Sequence, residues 1–321
     1  MIRTPGIYEI GEAEYNADPV EGGSLRSSIA WKLIAKGSTP RHAWYASSLN
    51  PNFKADNRKQ FDLGRACHAA LFGNGAKIKI IQGDSYRSKE VQAQRDAAYV
   101  AGEIPLLPHE HAEVMAMAEA ARQQIAELVK AGTLDKMPFG KGETERTLVW
   151  EDHGVVCRAR LDGLPDDGSL LADYKTTSAS ADPSLWQYRQ MRLLGFDFQM
   201  GFYRRGLEAL KIVHSADVGF FVQELFEPYL LSFIRVEDEI IMRANEKVDE
   251  ALKIWAKCRK DNYWPGYSVD GYMIGLTERE KLEMAGAQAM AQGHDPHGVG
   301  WSDNLKDSDY SPIRFKDGKL Q

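Results

Sequence analysis

The sequence predicts an α/β fold in which a central mixed sheet is flanked by helices on both faces. Three strand patterns follow one another at 144–151, 155–162 and 170–176. Amphipathic helix patterns come before and after this triplet, at 108–132 and 183–210. Because strand and helix patterns occur in mixed order, an α/β core is favoured over a helical bundle or a β-sandwich.

The composition is that of an ordinary globular protein. The chain has 321 residues, of which 43% are hydrophobic and 27% are charged, and its net charge is -6. No apolar run reaches the length of a membrane span, and the first residues lack the pattern of a secretory signal, so we expect a cytoplasmic protein without membrane contact. Cys67, Cys157 and Cys258 are too scattered for a zinc site, a disulfide framework or an iron–sulfur cluster.

Glycines and prolines mark the ends of the remaining elements. A helix over 27–35 ends at Gly37, and a helix rich in small residues over 60–73 precedes a strand over 76–83. Another amphipathic helix is predicted over 88–102.

The C-terminal half shows three further features. The helix over 183–210 is interrupted near Gly195, two strands lie within 216–236, and a long helix covers 238–264. We predict three regions, which are an N-terminal helical segment over 1–60, a core domain over 61–280 and a loosely ordered tail over 281–321.

Two turn sequences predict that the strand triplet folds as consecutive antiparallel hairpins. Asp152-His153-Gly154 separates the first pair of strands, and Pro165-Asp166-Asp167-Gly168 separates the second pair. If the second turn is centred on its two aspartates, Asp162 lies opposite Leu171 and diagonal to Asp173. This register brings two carboxylates together on a hairpin that is otherwise half-buried.

These carboxylates and a nearby lysine suggest a metal-assisted reaction. Asp173 and Lys175 share one face of their strand because side chains alternate along it. Two adjacent carboxylates repel each other, and a hard cation such as Mg²⁺ relieves this repulsion by taking their oxygens as ligands. Such an ion lowers the pKa of a bound water and stabilises charge on a phosphoryl oxygen. An exposed hairpin with ordinary surface ion pairs explains the same spacing equally well.

Other candidate residues have a simple structural explanation when each is taken alone. His68 lies in the helix rich in small residues, where a hydrogen-bonded core histidine is expected more often than a ligand. Gln199 and Tyr203 are four residues apart and share a helix face, where tyrosine usually packs and glutamine is usually solvated.

Taken together, these motifs resemble the RecB-like branch of the PD-(D/E)XK nucleases. The shared order is Gly64-x-x-x-His68, Asp162, Asp173-x-Lys175 and Gln199-x-x-x-Tyr203. The segments "STPRHAWYASS", "CRARLDGL", "ADYKTTSAS", "FDFQMGFYRRGL" and "WPGY" resemble the RecE-like (exonuclease VIII type) enzymes of phages and prophages. The resemblance covers about 24–267. Leu161 stands where a proline is common in the superfamily.

The resemblance implies a fold and a set of roles. The fold is an αβββαβ restriction-endonuclease-like core, so that 61–280 is the nuclease domain. His68, Asp162, Asp173 and the Tyr174 carbonyl would bind Mg²⁺ or Mn²⁺, and Lys175 would assist the attacking water. The remaining implied site residues are Gln199 and Tyr203, which would contact DNA or support the site, and Glu145, which stands where the family often has a glutamate.

The resemblance also implies partners. RecE-like enzymes degrade double-stranded DNA from 5′ ends, form homo-oligomeric rings and work with a strand-annealing protein. The charge pattern is compatible with DNA despite the net charge of -6, because 183–211 carries a net charge of +3 from five cations and two acids. The arginines predicted to contact DNA or support the site are Arg158, Arg160, Arg189, Arg192 and Arg204.

Three functions follow from these patterns. The first is a Mg²⁺-dependent exonuclease acting 5′ to 3′ on linear duplex DNA, which leaves 3′ single strands for recombination. The second is a PD-(D/E)XK nuclease of different polarity or substrate. The third is a DNA-binding or assembly subunit that does not cleave, which the intact set of His68, Asp162, Asp173 and Lys175 argues against.

Overall fold

The structure is a computed structural model. It describes residues 1–53, 62–73, 76–139, 144–163, 170–213, 216–270, 274–291, 315–316 and 319–320. The chain divides into two compact units, Met1–Gly266 and Tyr267–Gln321. The domain boundaries predicted at 60 and 280 remain predictions.

The first sheet contains the hairpin predicted at the start of the strand triplet. Strands β5 (Arg146–Asp152) and β6 (Val155–Leu161) are antiparallel, with Asp152 opposite Val155. His153 and Gly154 form the predicted turn, and both have positive φ angles, of 49° and 75°. Positive φ at both central residues matches the twist of an antiparallel pair, so this turn sequence determines the local register.

N-terminal segments complete this sheet and cover it. Strand β1 (Gly6–Tyr8) pairs antiparallel with β5, and strand β2 (Leu25–Arg26) pairs parallel with β6. The strand order is therefore β1-β5-β6-β2. The short helices of this region are α1 (Glu12–Ala17), α2 (Ser27–Lys32) and α3 (Pro40–Tyr45).

The second sheet contains the strand that carries Asp173 and Lys175. Strand β7 (Leu170–Thr177) pairs in parallel with β8 (Asp217–Glu224), which pairs antiparallel with β9 (Leu231–Val236). One bridge, between Gly163 and Ala172, joins this sheet to the end of β6. The predicted turn at 165–168 lies outside the described residues.

The predicted register between Asp162 and the third strand is wrong by two residues. The antiparallel bridge between Gly163 and Ala172 places Asp162 opposite Asp173, rather than opposite Leu171. The strand that carries Asp173 also takes β8, not β6, as its main partner. Local turn patterns do not encode the parallel pairing of β7 with β8, because the paired residues are more than 40 positions apart in the chain.

Helices cover both faces of the second sheet. Helices α4 (Asp62–Phe72) and α6 (Pro108–Lys130) pack on the face that carries Ala172, Tyr174 and Phe221. The opposite face carries Leu171 and Phe220. It packs into a larger core built mainly from the hairpin β5–β6 and from helices α2, α9 (Phe196–Ala209) and α10 (Asp238–Asp261). The predicted mixed sheet flanked by helices is therefore confirmed.

A small additional layer lies beside α4. Strands β3 (Ile78–Ile80) and β4 (Ile104–Leu106) form a parallel pair, connected by helix α5 (Lys89–Val100). Ala66 of α4, Ile104, Leu106 and Val114 form a buried apolar cluster that attaches this layer to the main core.

The predicted interrupted helix is present, with an unusual turn inside it. Helix α7 (Pro183–Trp186) continues into a π-helical turn at Gln187–Met191 and then into helix α8 (Arg192–Leu194). Gly195, with φ of 75°, ends this segment before α9 begins. A Cβ atom at Gly195 would lie 2.5 Å from the Trp31 ring, so both its backbone angle and its packing require glycine.

The second unit contributes few described elements. Helix α11 (Glu278–Ala291) and the paired strands β10 (Phe315–Lys316) and β11 (Lys319–Leu320) lie in it. The predicted tail at 281–321 therefore begins within a helix, and most of its remainder lies outside the described residues. None of the described helices is long and apolar enough to cross a membrane.

Candidate metal centre and active site

Three potential metal ligands converge at the junction between the two sheets. His68 projects from α4, Glu145 precedes β5, and Asp162 follows the last residue of β6. One donor atom from each of these residues lies within 4.8 Å of the others. His68 Nε2 is 3.1 Å from Asp162 Oδ2, and His68 Nδ1 is 3.3 Å from Glu145 Oε1. The structure therefore brings His68 and Asp162 into contact, and their predicted action as metal ligands stays a prediction.

Asp162 is held in place by the neighbouring strand. The backbone N–H of Tyr174 donates a hydrogen bond of 2.8 Å to Asp162 Oδ2. Asp162 Oδ2 therefore receives both a backbone donor from β7 and the His68 ring. This contact is a consequence of the register actually adopted, in which Asp162 lies opposite Asp173.

Asp173 and Lys175 form an ion pair immediately beside this cluster. Their Nζ and Oδ2 atoms are in direct contact, and the Asp173 side chain is 2% exposed. Gln199 Nε2 donates to Asp173 Oδ1 at 3.0 Å and lies 3.0 Å from the Tyr203 hydroxyl oxygen. Helix α9 thus orients the Asp173 carboxylate through Gln199. A direct contact of Gln199 or Tyr203 with DNA stays a prediction.

A buried polar cluster lies behind the same strand. The Tyr174 hydroxyl donates to Gln223 Oε1, and the Cys67 sulfur lies 3.0 Å from the Tyr174 oxygen. Gln223 Nε2 in turn donates to the Met117 carbonyl at 2.9 Å. Cys67 precedes His68 on α4, and Tyr174 lies between Asp173 and Lys175 on β7. This cluster therefore connects α4 with β7.

A glycine allows this close contact between helix and strand. A Cβ atom at Gly64 would lie 2.8 Å from Thr176 Oγ1, which is closer than real Cβ atoms approach other atoms. Gly64 is one turn before His68 on α4, and Thr176 follows Lys175 on β7. The Gly64-x-x-x-His68 pattern therefore combines a packing requirement with a potential ligand.

The electrostatics of the site reflect its burial and its excess of carboxylates. Burial lowers the pKa of His68, but the charges and hydrogen bonds of Asp162 and Glu145 outweigh burial and raise it to about 10. Burial raises the pKa of Asp162, but His68 and Lys175 outweigh it and hold that pKa below its ordinary value. Burial raises the pKa of Asp173 to about 6, with Lys175 opposing this shift and Asp162 adding to it.

These residues face a large cleft. Its volume is about 1020 Å³, and its lining includes His68, Glu145, Asp162 and Lys175. A second cavity of about 510 Å³ shares Glu145 and other lining residues with it. The further charged and polar lining residues of the large cleft are Glu12, Asn16, Arg65, Arg95, Glu110, Arg160, Thr176, Thr177, Ser178 and Gln190.

The donor set fits a hard divalent cation. Two carboxylates and an imidazole that point at one another are the oxygen and nitrogen ligands used by Mg²⁺ and Mn²⁺. Asp173 Oδ2 is buried and accepts no well-aligned hydrogen bond from the described residues, although Lys175 Nζ touches it. His68, Glu145 and Asp162 would therefore hold the ion, and Asp173 adjoins their cluster. The identity of the ion and the predicted ligand roles of Asp173 and of the Tyr174 carbonyl stay predictions.

Two of the arginines predicted to contact DNA or support the site are buried and form ion pairs. Arg158 is buried and forms a 2.9 Å ion pair with Asp18. Arg204 is also buried and pairs with Asp238 at 2.7 Å. A phosphate contact would require each guanidinium group to leave its carboxylate partner, and the predicted role of Arg158 and Arg204 in DNA binding or site support stays a prediction.

The other predicted arginines lie closer to the cleft or to its surroundings. Arg160 lines the cleft and contacts Glu145, and its Nη1 donates to the Ile10 carbonyl at 2.8 Å. Arg189 and Arg192 are exposed on the interrupted helix. Contacts of these three arginines with DNA remain predictions.

Some residues of the site had only a weak signal in the sequence. Glu145 was predicted without a defined role, yet it lies within the potential ligand cluster. It has a φ of 61°, which is uncommon for a residue other than glycine. The Glu12–Arg65 pair, at 3.1 Å, lines the cleft and was not predicted, because an isolated charge on a helix carries no local pattern.

Comparisons with known proteins agree with this fold. The model of a family described as a PDDEXK-like domain of unknown function (DUF3799) matches residues 31–272. A protein from Eubacterium rectale that is assigned as a candidate exonuclease matches with a TM-score of 0.53 and 13% identity, over 86% of this chain and 98% of that chain. A phage-related exonuclease from Haemophilus somnus 129PT matches with a TM-score of 0.30 and 13% identity, over 74% and 96% of the two chains. No curated protein matches the sequence.

The family match covers most of the chain and includes every predicted site residue. The similarity to the Eubacterium rectale structure, at 13% identity, shows a shared fold and nothing finer. The predicted PD-(D/E)XK fold is therefore confirmed, and the narrower RecE-like assignment stays a prediction. The chain belongs to the family of PDDEXK-like domains described as DUF3799.

Proposed function

We propose that this protein is a metal-dependent nuclease that hydrolyses phosphodiester bonds of DNA. One observation carries this proposal, which is the convergence of His68, Glu145 and Asp162 beside the Asp173–Lys175 pair in a single cleft. Three carboxylates face Lys175, Arg160 and His68, and His68 must lose its proton to bind a metal, so a cation is needed to balance the site once His68 is a ligand.

Each side chain has a chemical role in this proposal. A divalent ion bound by His68, Glu145 and Asp162 would supply Lewis acidity and a bound water of lowered pKa. Lys175, held by Asp173, would orient the attacking water and neutralise charge that develops on the phosphoryl oxygens. Gln199 would fix the Asp173 carboxylate from behind, so that Lys175 is presented to the cleft in one orientation.

We further propose that the substrate is linear double-stranded DNA and that the reaction is exonucleolytic. The resemblance of the motifs to RecE-like enzymes supports 5′ to 3′ cleavage, with Mg²⁺ or Mn²⁺ as the cofactor. The similar fold of a candidate exonuclease is compatible with this activity. A homo-oligomeric ring, a strand-annealing partner, a role in recombination and a cytoplasmic location are further parts of the same proposal.

Digestion of end-labelled DNA tests this function. Linear duplexes labelled at either the 5′ or the 3′ end are incubated with Mg²⁺, with Mn²⁺ or with EDTA. We expect degradation with either metal and none with EDTA, and the order in which the labels are released gives the polarity. Lys175→Ala should abolish cleavage while its thermal unfolding stays cooperative. Cleavage by Lys175→Ala at the wild-type rate would show that the site is assigned wrongly.

The alternatives give different results in the same assay. A nuclease of another polarity releases the 3′ label first, and an endonuclease also cuts closed circular DNA. A DNA-binding or assembly subunit binds the duplex equally well with EDTA or Mg²⁺ and leaves both labels in place. We favour cleavage because His68, Asp162, Asp173 and Lys175 are all present and lie together.

A further inference from the structure

An exposed apolar and basic surface lies next to the cleft. We call Tyr188, Arg189, Arg192, Leu193 and Leu194 the cleft rim. Tyr188, Leu193 and Leu194 are 66%, 71% and 52% exposed, although each is large and hydrophobic. Neighbouring large apolar side chains at such exposure mark a binding surface more often than isolated ones do.

The rim is rigidly attached to the catalytic strand. Gln190 Nε2 donates to Thr177 Oγ1 at 2.7 Å, two residues after Lys175. Trp186, which precedes the rim, is buried and stacks on Phe196 with ring centroids 5.8 Å apart. Lys175 Nζ lies 4.8 Å from the centroid of the same Phe196 ring. A ligand held by the rim is thus held in a fixed position relative to Lys175.

Gln190 and Leu194 place the rim at the opening of the cleft. Both residues line the cleft, whereas Tyr188 and Arg189 face solvent. The intervening π-helical turn changes the direction in which successive side chains point, and such turns often occur at functional sites.

The chemistry of the rim fits a nucleic-acid strand. The guanidinium carbon of Arg192 lies 5.8 Å from the Tyr188 ring centroid, so an aromatic ring and a guanidinium plane are already paired. The segment 183–194 has two arginines and no acidic residue, although the chain as a whole has a net charge of -6. Aromatic rings that stack on bases beside cations that neutralise phosphates are the usual means of binding single strands.

We propose that the cleft rim binds unpaired nucleotides at the end of the DNA, with a base against Tyr188 and Arg192 and phosphates near Arg189. This inference rests on the proposed nuclease function and adds the part of the substrate that the rim recognises. Leu193 and Leu194 provide an apolar surface for a base that has lost its pairing partner. A base pair buried within a duplex presents no free face to such a surface.

Binding of a duplex with a short unpaired end tests the rim. The duplex carries 2-aminopurine in its unpaired end, and binding is measured in EDTA by fluorescence anisotropy and by quenching of the 2-aminopurine. We expect Tyr188→Ala and Arg192→Ala each to weaken binding about fivefold to tenfold and to remove most of the quenching. In Tyr188→Ala, binding of a blunt duplex should change by less than about twofold.

A matched variant controls for the loss of an exposed aromatic ring. Tyr45 is 70% exposed on α3 and does not line the cleft, so Tyr45→Ala should bind both duplexes as the wild type does. With Mg²⁺, Tyr188→Ala should raise KM for the duplex with the unpaired end and leave kcat largely unchanged, because its ring touches neither the ligand cluster nor Lys175.

Three outcomes would overturn the proposal. The first is that Tyr188→Ala and Arg192→Ala retain wild-type affinity and quenching although the wild type cleaves DNA. This result would contradict the role of the rim and leave the proposed nuclease function standing. The second is that Tyr188→Ala lowers the sedimentation coefficient without DNA, which makes the rim an interface between copies of this chain. The third is that the wild type neither binds nor cleaves DNA, which removes the proposed function as well.

Discussion

Two groups of charged side chains lie along strand β6, one at its middle and one just after its last residue, and they are built differently. At the middle, Arg158 forms an ion pair with Asp18, and their side chains are 2% and 1% exposed. After the last residue, Asp162 meets His68 and Glu145 at the wall of the cleft. Asp162 lies only four positions after Arg158 in the chain.

The Arg158 group is balanced. Arg158 Nη1 donates to the Ser24 carbonyl at 3.0 Å, and Asp18 accepts hydrogen bonds from both the backbone and the side chain of Ser24. The Arg158 guanidinium also lies 5.2 Å from the Tyr15 ring centroid. One cation with one anion and several hydrogen bonds needs no further ligand, so this group fixes the N-terminal segment to the sheet.

The Asp162 group is not balanced by permanent charges. Glu145, Asp162 and Asp173 face Lys175, Arg160 and His68, so the charges cancel only while the His68 ring carries a proton. The pKa of Asp173 is raised to about 6 by its surroundings. A buried charge that lacks a full set of opposite charges and hydrogen bonds lowers the stability of the folded protein. Proteins keep such charges mainly at sites that a ligand completes. The difference teaches that the balance of charge, more than the mere presence of buried charge, separates a structural group from a candidate active site.

The largest expected effect comes from removing one charge of the unbalanced group. Asp173→Asn should lower the cleavage rate by about a thousandfold or more, because it removes the partner of Lys175. The free energy of unfolding at pH 7 should stay the same or rise, because a carboxylate that is costly to ionise in the folded state is lost. Initial rates on linear duplex DNA and urea unfolding measure the two effects.

Asp217→Asn provides the control for this prediction. Asp217 is exposed at the first position of β8, on the strand next to the one that carries Asp173. This variant should cleave and unfold as the wild type does. A large loss of stability in Asp173→Asn, together with normal cleavage, would reverse the roles assigned to the two groups.

The second effect concerns the balanced group. Arg158→Met should lower the free energy of unfolding by about 3–5 kcal/mol, because Asp18 would remain buried without its cation. The double variant Arg158→Met with Asp18→Asn should regain part of this loss. Urea unfolding monitored by tryptophan fluorescence measures both. If Arg158→Met were fully stable but bound DNA weakly, the result would support the predicted contact of Arg158 with DNA.

The third effect concerns the polar cluster that supports the unbalanced group. Tyr174→Phe removes the hydroxyl that Gln223 and Cys67 contact, and the loss of the hydroxyl donor to Gln223 Oε1 should cost about 1–3 kcal/mol of stability. We expect a weaker affinity for Mn²⁺, because the cluster ties the His68 helix to the Asp173 strand. Calorimetric titration of the ion-free protein with Mn²⁺ measures this affinity directly.

Two cysteine variants separate positioning from simple loss of stability. Cys67→Ala and Cys157→Ala each remove a fully buried thiol, but only Cys67 contacts Tyr174. Cys67→Ala should weaken Mn²⁺ binding and Cys157→Ala should not. Equal Mn²⁺ affinity in Cys67→Ala, Tyr174→Phe and the wild type would show that the cluster contributes to stability alone.

The smallest expected effect, counted per pH unit, is the pH dependence of metal binding. The ion-free His68 has a pKa of about 10, raised from 6.5 by Asp162 and Glu145 against the lowering effect of burial. An ion must displace this proton, so Mn²⁺ affinity should rise by at most about tenfold per pH unit between pH 6.5 and 10. The same raised pKa stabilises the ion-free protein fully below pH 6.5, and this contribution is lost as the pH rises through 10.

Proton release on binding provides the measurement. Calorimetric titrations at pH 8 in buffers of different ionisation enthalpy should show about one proton released per ion. His68→Ala should release far less and bind Mn²⁺ more weakly. If the affinity of the wild type were independent of pH, His68 would not be a ligand.

The sequence alone predicted the fold class and most of the candidate site. Turn residues such as His153-Gly154 and the break at Gly195 are local signals, because each depends on backbone angles that few residues adopt. The pairing of His68 with Asp162 was suggested only by a resemblance to known nucleases, and the structure brings their side chains to 3.1 Å.

Only the tertiary structure decided the roles of the charged residues. Arg158 and Arg160 share a strand face and look equivalent in the sequence, yet one pairs with Asp18 inside the protein and the other contacts Glu145 in the cleft. The tertiary structure also decided the register that sets Asp162 opposite Asp173, because β7 pairs with β8, which is distant in the chain. A charge is structural or functional according to which partners reach it, and those partners come from distant parts of the chain.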